Sequence, residues 1–342
     1  MLNIVKEGVI LNKTDHEFEN EGVLNPAVMQ EGDIVHVFYR AVRQGNHSTI
    51  GYCQMNGPLE VAERGLAPLL APEVDSESQG VEDARIVRID DLYYLTFTAY
   101  DGINALGALA TSTDLVEFQR MGIIVPQITH EEFLKVTAGT HISRKYNRFH
   151  NLHEPDSIRQ HNILLSDKNL MFFPRKINGK FYFLHRIRPD IQIASVNAIE
   201  ELTADYWNDY LLHFDEHILM TSIHEHEISY IGGGCPPIET KAGWLLIYHG
   251  VHDTAEGYVY SACAALLDLN EPEKELARLP FPLFKPELDW ELKGEVNNVV
   301  FPTGTSLFDG RLYIYYGAAD TCIAVASVNM SELITELLNH KR

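Results

Sequence analysis

Short runs in which apolar and aromatic residues alternate with polar ones recur along this chain, without a sustained helical spacing between them. Five of these runs share one form. Each opens on a turn containing Gly or Asp, continues as a strand rich in Tyr, Phe, Leu and Ile, and ends in polar or aromatic residues. They are EGDIVHVFYRA (31–41), DDLYYLTFTAYDG (90–102), NGKFYFLHRI (178–187), AGWLLIYHGV (242–251) and DGRLYIYYGAAD (309–320). Each follows a second β-type run: NPAVM, ARIVRI, LMFFPRKI, PPIET and VVFPTGTSLF. The NG and DG pairs between such runs predict hairpins, because a tight two-residue turn needs positive φ at both central positions. Further short strands follow the units, among them STIGYCQM, LGALATS, IQIASV, YVYSACAALLDL and CIAVASV.

Five β-rich units, spaced by roughly fifty to ninety residues, predict an all-β fold: one five-bladed β-propeller spanning 1–342. A β-sandwich built from hairpins is the competing architecture. Helical patterning is confined to TADYWNDYLLHF (203–214), MSELITELLNHK (330–341) and an insert at about 127–162. That insert contains THEEFLK and the His- and Arg-rich HISRKYNRFHNLHEPDSIRQH, and reads as a rim element or a homo-oligomer contact.

Composition narrows the function classes. The 342 residues are 45% hydrophobic and 22% charged, enough to bury a core without disulfide staples. Cys53, Cys235, Cys263 and Cys322 are far apart, with no C-x-x-C pair, and read as small buried residues of a reducing compartment. Lys6 and Glu7 interrupt the first apolar run, and no stretch of about 18 apolar residues follows to cross a bilayer. A cytoplasmic location is expected, or a periplasmic one for a processed chain. A net charge of −21 disfavours nucleic acid, which needs a basic face. The histidines of HEHE (224–227) and HEPDS (153–157) lack helical i, i+4 spacing, so no metal is expected.

In a propeller, equivalent strand ends converge on one channel. The polar ends are Tyr39-Arg40, Tyr100-Asp101, His185-Arg186, Tyr248-His249 and Asp320. Singly, each is an ordinary polar residue at a strand end. Together they form a charged funnel lined with aromatic rings, which suits a sugar: its hydroxyls take polar partners and its faces stack on Tyr. The stretch QGVEDARIV (79–87) then lies at the inner mouth of the second unit. Asp83 is expected to face the funnel, with Glu82 and Arg85 orienting it or binding hydroxyls.

Ten ordered segments carry a resemblance: NPA (25–27), FYRA (38–41), GVEDARI (80–86), FTAYDG (97–102), FFPRKINGKFYFLHR (172–186), GGGCPPIET (232–240), WLLIYHGV (244–251), LLDL (266–269), NVVFPTG (298–304) and YYGAAD (315–320). The chain resembles glycoside hydrolase family 130, the inverting β-mannoside phosphorylases and β-1,2-mannosidases on a five-bladed propeller. The resemblance implies that Asp83 is the general acid, donating its proton through a sugar hydroxyl. It also implies that Asn25, Arg40, Asp101 and Asp320 hold the mannose, with His185, Tyr248 and His249 along the wall.

Family phosphorylases hold phosphate with two arginines and a lysine in a PPIKT-like motif. Here Arg186 is kept, Lys168-Asn169 stands where the first arginine is expected, and Glu239 of PPIET stands where the lysine is expected. A carboxylate repels phosphate, and an inverting hydrolase needs one to activate water opposite the acid. The sequence therefore favours an exo-acting β-1,2-mannosidase with Asp83 as acid and Glu239 as base, their carboxyls about 6.5–9.5 Å apart. Glu227 is a second candidate base, or a solvated loop acid. The alternative is a β-mannoside phosphorylase releasing mannose 1-phosphate, with inorganic phosphate as co-substrate and no other cofactor. A non-catalytic glycan-binding propeller, and a furanosidase using Asp83, Asp101 and Asp320, are further alternatives. A β-mannoside oligosaccharide is the expected partner.

Overall fold

The structure is a computed structural model that describes residues 2–147 and 163–342. It is mostly β. An N-terminal strand, β1 (Val5–Leu11), precedes a first antiparallel unit of β2 (Gly22–Glu31), β3 (Ile34–Arg43), β4 (His47–Asn56) and β5 (Glu60–Arg64). The second unit is β6 (Gly80–Ile89), β7 (Leu92–Tyr100), β8 (Ala105–Ser112) and β9 (Gln119–Ile123), joined to the first by one parallel bridge between Ser48 and Gly80. The third is β10 (Lys168–Phe172), β11 (Phe181–Arg186), β12 (Ile191–Val196) and β13 (Ile218–Met220). The fourth is β14 (Tyr230–Gly233), β15 (Ile238–Thr240), β16 (Gly243–Thr254), β17 (Gly257–Leu267) and β18 (Glu275–Arg278). In the last, β19 (Val300–Phe308), β20 (Arg311–Ala318) and β21 (Cys322–Asn329) are completed by β1, so the start of the chain pairs with its end.

The turn signals act as expected. Asn178-Gly179 and Asp309-Gly310 have positive φ at both residues and close hairpins. Alternation along the strands buries apolar side chains between consecutive units rather than within one. Phe38 and Ile50 of the first unit pack with Ile86 and Leu95 of the second, and Leu109 of the second with Phe172 and Phe183 of the third. Leu184 packs with Leu246 between the third and fourth, and Leu245 with Ile314 between the fourth and fifth. Tyr315 and Val325 of the last unit meet Val35 and Val37 of the first. The first strands follow the same order: β2 touches β6, β6 touches β10, β10 touches β14, and β19 touches β2. The four cysteines are free and buried in these layers.

One strand assignment changes. PPIET is not the inner strand of the fourth unit; β14 is, pairing with Tyr248–Val251 of β16. The Gly-Cys-Pro-Pro segment breaks the ladder, since proline has no N–H to give, and β15 pairs instead with Gly243–Leu245 at the other end of β16.

Helices form where side chains cap them. Within the expected insert, Thr129 and Glu132 close a capping box on α1 (His130–Val136), and Phe133 packs edge-on against Phe214. The remainder of that insert, 148–162, lies outside the described residues. Thr203 caps α2 (Ala204–Leu212), a short α3 (Asp289–Leu292) was not expected, and Asn329 caps α4 (Met330–Leu338). Among the described residues no helix is long and apolar enough to cross a membrane.

Candidate active site

The first strands of four units each carry a register shift at the same end: Leu24/Ala27 in β2, Glu82/Arg85 in β6, Lys168/Met171 in β10 and Pro302/Gly304 in β19. A bulge puts an extra residue on one strand and re-aims its side chain. Asn25, Asp83 and Asn169 occupy these bulges with left-handed φ of 49°, 52° and 56°. Asn and Asp tolerate that region better than other non-glycine residues, so the chemistry and the backbone select the same residue types.

Asp83 is buried, 8% exposed, and accepts a 2.7 Å hydrogen bond on Oδ1 from Asn25 Nδ2. Arg40 spans both acids, with Nη2 2.8 Å from Glu82 Oε1 and Nη1 3.5 Å from Asp83 Oδ1, while its Nε donates to Ser48 Oγ at 2.9 Å. Burial pushes the Asp83 carboxyl up, but Arg40, Lys168, the Asn25 hydrogen bond and Arg85 together hold it below the usual carboxylate range. Without ligand Asp83 is therefore ionised at neutral pH.

Asp320, also left-handed at φ 52°, behaves oppositely. Burial raises it to about 6; Arg40 and Lys168 oppose the rise and Asp83 adds to it. A carboxyl raised in the folded state keeps a proton that the unfolded chain has lost, so stability falls as pH rises through about 4 to 6. Asp320→Asn should thus raise the melting temperature by about 2–4 °C near neutral pH, with the gain vanishing below about pH 4. Thermal melts across that range check it.

Further cations lie near Asp83. Lys168 lies opposite Arg186 in the ladder, and burial lowers its pKa, with Asp83 opposing and Arg186 adding. Arg186 is pushed down to about 10 by burial and by Arg188. Its Nη1 lies 3.2 Å from His249 Nε2, and the guanidinium groups of Arg186 and Arg188 lie 5.5 and 4.8 Å from the Tyr230 ring centroid. Tyr230 and Tyr260 join through their hydroxyls at 2.5 Å, and His249 packs on Phe301 at 4.4 Å. Asn25 Oδ1, Asn169 Oδ1, Arg186 Nε and Arg85 Nη2 are buried without a hydrogen-bond partner among the described residues. Polar atoms in that condition are what a polar ligand completes.

Arg85 ties the units together. From β6 its Nε donates to Gly234 O of the fourth unit, Nη1 donates to the carbonyls of Asp83 and Ala84 at 2.9 Å, and the guanidinium lies 5.9 Å from the Phe301 ring of the fifth. Gly234 lets the β16 and β19 backbones close in on it: a Cβ there would sit 2.6 Å from Ile247 O and 2.9 Å from Pro302 O.

Several expected residues face elsewhere. Adjacent strand residues point to opposite faces, so His185 turns away from Arg186 and Tyr248 away from His249. His185 is held between the Asp167 carboxylate and Tyr210 Oη, each at 2.8 Å. Tyr248 donates to Glu227, which also accepts from Arg278 Nη1 at 3.2 Å and from the Ile223 N–H at 3.0 Å. Glu227 is thus a fully buried structural anchor, neither a base in the cluster nor a solvated acid. Asp101 accepts from the Ile103 and Asn104 N–H groups at 2.8 and 2.6 Å and orders its own loop, and Tyr100 donates to Gly102 O.

Glu239 requires the largest correction. Opposite Trp244, it lies five residues along β16 from His249, about 16 Å at strand rise. Its side chain is 46% exposed and forks with Arg175 through two 2.8 Å contacts. Glu82, Asp83 and Asp320 are among the carboxylates that act on the cluster, and Glu239 is not seen to do so among the described residues. Glu239→Gln should leave turnover unchanged and stability within about 0.5 kcal/mol, measurable by initial rates and thermal melts. Arg188, Ser48, Tyr230, Tyr260 and Phe301 were missed by the sequence reading. Of these only Arg188 had a signal, its two-residue spacing from Arg186.

The profile of glycoside hydrolase family 130, described as beta-1,4-mannooligosaccharide phosphorylase, matches residues 6–339. The chain belongs to glycoside hydrolase family 130. A 1,2-beta-oligomannan phosphorylase of Thermoanaerobacter sp. (strain X514) is 33% identical over 336 residues, 95% of this chain and 96% of that one. A beta-1,2-mannobiose phosphorylase of the same organism is 34% identical over 335 residues, 93% and 94% of the two chains. The solved beta-1,2-mannobiose phosphorylase of Listeria innocua, in complex with beta-1,2-mannobiose, superposes with a TM-score of 0.72 at 26% identity, covering 98% of this chain and 99% of that one. The arrangement gathers the buried acids Glu82 and Asp83, the amides of Asn25 and Asn169, and the cations Lys168 and Arg186.

Proposed function

We propose that this family 130 enzyme is a β-mannoside phosphorylase, acting on the non-reducing end of β-1,2-linked mannooligosaccharides and releasing mannose 1-phosphate. The observation that carries this reading is the grouping of Lys168 and Arg186 near Asp83, with Arg188 sharing the Tyr230 ring with Arg186 and Glu239 at the far end of its strand. It replaces the hydrolytic reading, whose base does not reach the acid. The phosphorylase names of the near-full-length relatives support it.

In the proposed reaction Lys168, Arg186 and Arg188 hold a phosphate below the anomeric carbon. Charge-assisted hydrogen bonds from guanidinium groups fix its orientation. A phosphate oxygen forms the bond to C1 as the glycosidic C1–O bond breaks, and the configuration inverts. Asp83 supplies the proton that reaches the leaving oxygen, relayed by a sugar hydroxyl as the family resemblance implies. The dianion offsets the cations that keep Asp83 ionised in the free protein, so co-substrate and acid are loaded together. Asn25, Asn169 and Asp320 take the sugar hydroxyls.

The architecture proposed for this site is the five-bladed propeller. It is favoured over the sandwich by five apolar layers between consecutive units, the last returning to the first, and by Arg85 reaching from the second unit to the fourth and fifth. The β-1,2 linkage rests on the two relatives that cover nearly the whole chain.

The test is to incubate the enzyme with β-1,2-mannobiose, with and without phosphate, and separate the products. Mannose 1-phosphate formed only with phosphate is expected. Free mannose alone, at a rate indifferent to phosphate, would overturn the reading. β-1,4-Mannobiose run in parallel decides the linkage.

A further inference from the structure

Apart from the cluster around Asp83, the fourth unit assembles a second group of chemistry-bearing side chains that the proposed reaction does not use. His226, Glu227 and Cys263 offer an imidazole nitrogen, a carboxylate oxygen and a sulfur that all lie within 4.8 Å of one another, and His226 Nε2 is 3.9 Å from Glu227 Oε1. All three residues are buried, Glu227 and Cys263 completely and His226 to 8% exposure. His224 stacks on His226 with ring centroids 5.5 Å apart, and His252 is two residues along β16, on the same face, from Gly250, where a Cβ would sit 2.9 Å from His226 O and 3.1 Å from Cys263 Sγ. His224 Nε2, His226 Nε2 and His252 Nδ1 are all buried without a hydrogen-bond partner among the described residues. Three such imidazole nitrogens in one patch need an explanation, because buried polar atoms are almost always satisfied by protein, water or an ion.

We propose that His226, Cys263 and Glu227 bind a single divalent cation of the zinc class, with His252 or His224 as the neighbouring fourth donor. Nitrogen and sulfur ligands with one carboxylate are the set zinc prefers, whereas calcium and magnesium take oxygen alone. Binding displaces the Cys263 proton to solvent, and the resulting thiolate, with Glu227, offsets the charge of the cation and of Arg278 at 3.2 Å from that carboxylate. The role is structural. The metal would pin the turn Glu225–Glu227, which leads into β14, onto the pair of long strands β16 and β17, and β14 carries Gly232, against which Arg186 packs. The HEHE spacing alone gave no such signal, because the sulfur comes from a strand more than thirty residues later.

The test uses the full chain without an affinity tag, stripped with chelator and titrated with zinc or cobalt(II). Expected are one equivalent bound per chain, a melting temperature that rises with metal, and a sulfur-to-cobalt charge-transfer band in the near ultraviolet. His226→Gln and Cys263→Ser should each cut the affinity by at least about tenfold, the range for a lost ligand or its support, and Cys263→Ser should remove the band. Unchanged metal content and melting temperature in the titrated wild type would overturn the proposal. So would equal binding by wild type and His226→Gln, since the ion would then sit elsewhere. His226 lies nearest the surface of the three, so its variant stays informative if Cys263→Ser does not fold.

Discussion

Asp83→Asn should lower the rate of phosphorolysis at least about a hundredfold while the protein stays folded, the usual scale for losing a general acid. Asparagine suits this test for a local reason. Residue 83 sits at φ 52° in a bulge, a conformation asparagine accepts, and its amide oxygen can still take the hydrogen bond from Asn25 Nδ2. Alanine would add a left-handed strain of about 1–2 kcal/mol and confuse chemistry with stability. The measurement is kcat on β-1,2-mannobiose beside circular dichroism and a thermal melt. A second substrate sharpens it: an aryl β-mannoside, whose leaving group needs little protonation, should recover much of the lost rate. Equal loss on both substrates would mean that residue 83 positions the sugar rather than supplying a proton.

Arg186→Gln should raise the KM for phosphate by roughly 10- to 100-fold and leave the KM for the mannoside within a few-fold. A hydrogen bond to a charged group contributes about 1.5–3 kcal/mol, and each 1.4 kcal/mol is a factor of ten. Arg186 is 4% exposed, with Nε unpartnered and Nη1 on His249, so its guanidinium is oriented before any ligand arrives. Lysine at this position should not restore the wild-type value, because a point charge lacks the planar fork. Initial rates over a matrix of phosphate and mannobiose concentrations separate the two constants. A rise confined to the mannoside would reassign Arg186 to the sugar.

Where sequence reasoning succeeded, the signal was local. NG and DG turns carry their own backbone requirement, and the helical runs at 203–214 and 330–341 hold α2 and α4. Where it failed, the answer lay in which face a strand presents or where a ladder breaks. His185 and Tyr248 were grouped with Arg186 and His249 because they are adjacent, yet adjacency in a strand means opposite faces. Glu239 was expected in the site because PPIET aligns with the family's PPIKT-like phosphate motif. The two prolines end the β14 ladder and carry the glutamate to the other end of β16.

The sequence by itself determined the mostly β character, the repeated strand units and the family, since each depends on residues close together along the chain. Tertiary structure alone decided that Lys168 and Arg186 gather near Asp83, that Glu227 anchors Tyr248 and Arg278, and that Glu239 stands half in solvent. Those outcomes depend on register and on contacts between units far apart in sequence, and a one-residue shift of a strand exchanges its two faces.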